Sequence, residues 1–155
     1  MSRGILFRGT TDNKWVYGVP IYIRKEAFII RDFCVGGDYT DDWVEAETVG
    51  QFTGLTDKNG NKIFEGDICK VTYLDRRCNS NGEHYLAENE MIEKVVFNNG
   101  AFCFKVIIED IAMYRPIGFD IYEKQKIKYV EVIGNIYDNP ELLESATGKP
   151  EEYEK

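Results

Sequence analysis

Four glycines, Gly50, Gly54, Gly60 and Gly66, fall at short intervals through residues 49–71, VGQFTGLTDKNGNKIFEGDICKV, between two apolar strand candidates. No other stretch limits the fold so tightly. A glycine reaches positive φ without steric cost, so each marks a place where the chain can reverse or kink. Asn59-Gly60 is the dipeptide most expected at a two-residue hairpin turn. Glu65-Gly66-Asp67 reads as a tight turn feeding a new strand, 68–74, in which Cys69, Val71 and Tyr73 alternate with Lys70 and Thr72.

The rest of the chain repeats this grammar. Strand candidates occupy 5–8, 15–24 and 27–33, joined by short polar turns, with Gly18 and Pro20 marking a bulge or an edge in the second. Residues 91–97 and 101–108 form a second hairpin closed around Asn98, Asn99 and Gly100. Pro116 argues against a central strand at 111–118, and strand character returns over 127–136, where Gly134 is expected at a turn. The hexapeptide at 131–136 echoes that at 47–52, a pattern that two β-strands ending at glycine produce cheaply. Asn139-Pro140-Glu141 looks like a helix start, with a capping Asn and Pro at the first helical position. The resulting expectation is an all-β chain: twisted antiparallel sheets forming one or two small barrel-like units. Residues 1–138 make one β domain, or two lobes at 1–55 and 56–138. A short helix at 139–146 and a disordered acidic tail at 147–155 follow.

Composition narrows the function. A formal charge of −8 opposes broad binding to nucleic acid or an anionic membrane, because a phosphate-binding face brings excess Lys and Arg. The N-terminus, MSRGILFRGTTD, is broken by Arg8 and Gly9 before an apolar core develops, so no secretory leader is expected. The cysteines, Cys34, Cys69, Cys78 and Cys103, form no CxxC pair and are expected as free thiols in the cytoplasm.

Taken together, the blocks FRG, WVYG, ETVGQFTGLTDKNGNKIFEGDICKV, VVFNNGAFCF and EVIGNIYDNPELL resemble the YopX family of bacteriophage and prophage proteins, from about Leu6 to Leu143. The segments 36–42 and 75–90 fall outside those blocks. The resemblance implies a largely β protein encoded by a phage or prophage and made in the bacterial host cytoplasm. It brings no established activity, and so no catalytic residues.

No catalytic or metal constellation is complete. Asp57, Asn59 and Asn61 match the first half of a calcium loop, but Lys62 stands where the sharp turn needs Gly and Ile68 where a bidentate Glu belongs. Cys69, Cys78 and His84 lack both knuckle spacing and a fourth ligand for structural zinc. His84 beside Cys78 has no nucleophile signature around it. The acids Asp38, Asp41, Asp42, Glu45 and Glu47, or Glu65 with Asp67, suit a two-metal hydrolase, though an acidic chain carries such clusters by default. Tyr17, Tyr22, Phe102, Phe104 and Tyr129 with Lys124, Lys126 and Lys128 are the best materials for a single-strand-binding barrel.

The leading expectation is therefore a non-enzymatic phage accessory module that binds a protein partner or itself, without metal or cofactor. A nucleic-acid-binding barrel is the alternative, and a metal-dependent hydrolase using the acidic loop comes third. The longest polar connection, 75–90, is the expected contact loop, through Arg76, Arg77, His84 and Tyr85.

Overall fold

A computed structural model describes residues 4–33, 36–117 and 125–146. Cys34, Lys124 and the expected tail at 147–155 lie outside the described residues. The chain divides into two compact units. The first takes residues 1–56 and 60–65, the second 57–59 and 66–155, so the glycine-rich stretch carries the chain between them.

In the first unit, β1 (Phe7–Thr11), β2 (Lys14–Ile23), β3 (Glu26–Phe33), β4 (Tyr39–Val44), β5 (Gly50–Thr56) and β6 (Lys62–Phe64) make an antiparallel sheet in the order β4-β3-β2-β1-β5-β6. β2 serves two neighbours in turn. Its first half, through Gly18, pairs with β1, and its second half, from Val19, pairs with β3. Gly18 stands at the switch because a Cβ there would lie 2.0 Å from the Ile30 carbonyl oxygen. Ala27, Ile29 and Val44 form the buried centre, with Phe7, Val16, Ala46 and Val49 packed against it. Thr48, in a single 3-10 turn at Ala46–Thr48, accepts the Thr10 N–H through Oγ1 at 2.9 Å and donates to the Glu45 carbonyl at 2.7 Å. Asp41 and Asp42, expected in a loop, belong to β4 instead.

The second unit holds β7 (Asp67–Cys78), β8 (His84–Asn98), β9 (Ala101–Ile108), β10 (Ile111–Pro116), β11 (Gln125–Asn135) and the helix α1 (Glu141–Ala146). Its sheet runs β10-β9-β8-β7-β11, also antiparallel. Pro116 sits in the outermost strand, where a missing N–H costs no ladder bond. Ile68, Cys69, Val71, Val95 and Phe104 are buried at its centre. Among the described residues the all-β expectation holds, with one short helix, but both sheets are open and neither closes into a barrel.

The turns sort by backbone. Asp12-Asn13, Asn99-Gly100 and Glu109-Asp110 each place two consecutive residues at positive φ, the type I′ signature that suits the twist of paired strands. Asn59-Gly60 does not: only Gly60 is positive, at 82°, and the connection spans residues 57–61. Gly54, at φ 88°, kinks β5 at a register shift instead of closing a turn. Gly66, at φ 87°, does turn the chain into β7. Gly134 lies within β11, and a Cβ there would come 2.5 Å from Asn139 Oδ1. Its echo partner Gly50 is equally crowded, 2.7 Å from the Glu65 carbonyl. Both echoed glycines thus serve close approach, not reversal. Asn139 turns its Oδ1 back to the Asn135 N–H, at 3.4 Å.

Candidate functional site

The segment expected as a long loop is a β-ribbon. β7 and β8 pair without a bulge through eleven consecutive positions, from Ile68 with Lys94 to Cys78 with His84. Only residues 79–83 turn. Asn79 closes that turn, its Oδ1 accepting the N–H groups of Asn81 at 3.0 Å and Glu83 at 2.9 Å, while Gly82 takes φ 81°. The strand signal is lost in the sequence because both faces of the ribbon tip are wet, which removes the apolar alternation of a half-buried strand.

Pairing decides which expected contact residues meet. Arg77 stands opposite Tyr85, Cys78 opposite His84 and Arg76 opposite Leu86. Successive side chains alternate faces, so Arg77 and Tyr85 share one face while Arg76 and His84 share the other. All four are exposed. Cys69, which a zinc site would need beside Cys78 and His84, is buried nine residues away along β7.

Toward the sheet centre, the Arg77 face carries a chain of polar contacts. Arg77 Nη2 donates to Asn89 Oδ1 at 3.2 Å, and Asn89 Nδ2 donates to Asp75 Oδ2. Deeper still, the wholly buried Glu93 accepts the Tyr73 hydroxyl on Oε2 at 2.8 Å and the Arg115 guanidinium on Oε1. The guanidinium also stacks over the Tyr73 ring, 4.2 Å from its centroid. Burial pushes the Tyr73 hydroxyl up to about 12 against the opposing pull of Arg115, which keeps it a donor near neutrality. Neighbouring strands lie about 4.8 Å apart, so β10 and β7, three steps apart, would be roughly 14 Å apart in a flat sheet. Contact between Arg115 and Tyr73 therefore requires the sheet to curl around this face.

This cluster has no local sequence signal. Its members come from three strands, and only the pairing brings positions 73, 93 and 115 together. Each Glu93 oxygen already holds a donor, whereas the buried Arg115 Nε has no hydrogen-bond partner among the described residues.

The outer side of β8 is the second feature. β9 pairs only with Lys94–Asn98 of β8, so among the described residues the edge of 84–93 opposite β7 carries no strand. Tyr85 and Leu86 project from it, 48% and 63% exposed. Glu88 and Glu90 are exposed on the face that carries Leu86, and Glu88 holds Lys128 of β11.

The remaining candidates are structural or separated. Asp57 accepts the Asn59 N–H on Oδ1 at 2.9 Å and the Val132 N–H on Oδ2 at 3.0 Å, and the Lys58 N–H reaches the Val130 carbonyl. The calcium-like half-loop is thus a clasp onto β11. Glu131 holds the Lys58 ammonium at 2.9 Å, which raises the lysine and lowers the carboxyl from their ordinary ranges. Asp41 and Asp42 occupy successive positions of β4 and so opposite faces, Asp42 paired with Arg31 at 2.5 Å. Among the described residues no group of three or more His, Cys, Asp or Glu is placed to hold a metal ion. Of the aromatics, Phe104 is buried, whereas Tyr17, Tyr22 and Tyr129 are exposed and Lys128 stacks near Tyr129 at 5.0 Å.

A family model described as YopX protein matches residues 6–144. No curated protein matches the chain. Among the described residues no helix is long and apolar enough to cross a membrane.

Proposed function

The chain belongs to the YopX family, and on that footing we propose that it acts by binding a protein, not by catalysis, as a phage or prophage accessory factor in the bacterial cytoplasm. The docking element is the β7–β8 ribbon. One observation carries the reading: the edge of 84–93 has no strand on its outer side among the described residues, and its tip exposes Tyr85 beside Arg77. Free strand edges template pairing with another chain, and Tyr and Arg are enriched where binding energy concentrates. The Tyr73–Glu93–Arg115 cluster supports the same reading, since it ties the base of the ribbon together without leaving a carboxylate oxygen free of a donor.

The test replaces residues 78–87 by a short Gly-Ser turn and compares the variant with wild type. Both fold. Wild type captures a defined protein from lysate of the producing cell, reconstituted afterwards with the purified partner, or associates with itself in sedimentation. The variant loses that interaction. Unchanged capture and unchanged sedimentation after excision would overturn the assignment of the ribbon.

A further inference from the structure

Resting on the ribbon reading, we infer that the open edge of β8 takes a cationic extended peptide as an added strand. In an antiparallel ladder, alternate residues direct both N–H and C=O to the same side, so residues 84–93 offer about five such residues outward. The register with β7 is unbroken here, and the segment contains no proline, lysine or bulge; the devices it carries against pairing are the acidic charges of Glu88, Glu90 and the buried Glu93. The backbone is therefore regular enough to continue the sheet.

Side chains set which strand fits. On one face, in order, stand Leu86, Glu88, Glu90 and Ile92. Opposite charges across a strand pair attract and like charges repel. A second copy of β8 is thereby disfavoured. Antiparallel self-pairing centred on residue 88, 89 or 90 sets Glu88 or Glu90 directly against Glu88 or Glu90 of the copy. Two copies each carrying −8 also repel at longer range. The complementary strand instead bears two basic residues at alternate positions, with an apolar residue at the next alternate position on each side. That pattern reads the same in both directions, so it matches a parallel or an antiparallel addition. Lys128 already holds Glu88, but Glu88 is 53% exposed, and an exposed ion pair exchanges partners at small cost.

The probe is a labelled synthetic peptide with valine, lysine, lysine and valine at alternate positions and threonine between them. Its glutamate counterpart is the control. Fluorescence anisotropy should show saturable binding of the lysine peptide, weakening as salt rises. Amide exchange should slow within residues 84–93 alone. Glu88→Lys with Glu90→Lys should weaken the lysine peptide by about tenfold or more and favour the glutamate peptide. The milder pair Glu88→Gln with Glu90→Gln should keep the fold and remove the salt dependence. If both peptides bind wild type equally at this edge, strand docking stands and charge selection falls. Binding of neither, or protection elsewhere, overturns the inference. The ribbon reading itself falls only if excision of 78–87 leaves partner capture intact.

Discussion

Replacing Arg115 by Met tests the physical account of the second sheet most directly. Glu93 is wholly buried, and its Oε1 is neutralised by Arg115, whose side chain is 15% exposed. Methionine fills much of the same volume, so the cavity penalty is small. What remains among the described residues is a buried carboxylate held by the Tyr73 hydroxyl, together with the loss of a cation over the Tyr73 ring. Removing one partner of a buried pair costs about 3–5 kcal/mol, and the partial exposure of Arg115 argues for the lower figure. At roughly 2–4 °C per kcal/mol for a chain of this size, Tm should fall by about 6–12 °C. Glu93→Met combined with Arg115→Met should recover most of the loss, since the buried charge is gone along with its partner. Urea unfolding of the two single variants and the double closes the cycle. A loss below about 1 kcal/mol in Arg115→Met would refute the reasoning, since it would mean that Glu93 is not desolvated in the folded protein.

Three further outcomes follow from the same geometry. Because the Tyr73 hydroxyl titrates at about 12 in the fold and 10.0 when free, its contribution is intact below pH 10 and lost as pH rises through 12. That loss is on the order of 3 kcal/mol, and Tyr73→Phe should flatten it in denaturant titrations, with an unchanged alkaline profile counting against the burial. Gly18→Ala should cost about 2 kcal/mol or more through collision with the Ile30 carbonyl, and a variant that melts with wild type would disprove the close approach. Asp57→Ala strands the Val132 N–H at a cost of about 1–3 kcal/mol, read as faster amide exchange at Val132, whereas added calcium should leave wild-type Tm unmoved.

Turn chemistry was legible where the residue type is itself the cause. Asn99-Gly100 and Gly66 could be placed because positive φ is a property of one or two residues, and Pro116 argued against a central strand because it lacks an N–H. The turns at Asp12-Asn13 and Glu109-Asp110 use the same backbone with less telling residues. Alternation revealed β7 only as far as one of its faces is dry.

Local sequence therefore determined that this chain is β, where many of its hairpins close, and the family to which it belongs. Tertiary structure decided the rest. Gly134 and Gly50 are glycines because Asn139 and Glu65 approach them, and Asn59-Gly60 is not a two-residue turn because Asp57 is held by β11. Arg76, Arg77, His84 and Tyr85 were found as residues but not as two faces of a ribbon, which exists only once β7 and β8 pair. Tyr73, Glu93 and Arg115 carry no mutual spacing at all. Hydrogen-bonded register, acting between residues far apart in sequence, brings them together, and burial then gives their charges meaning.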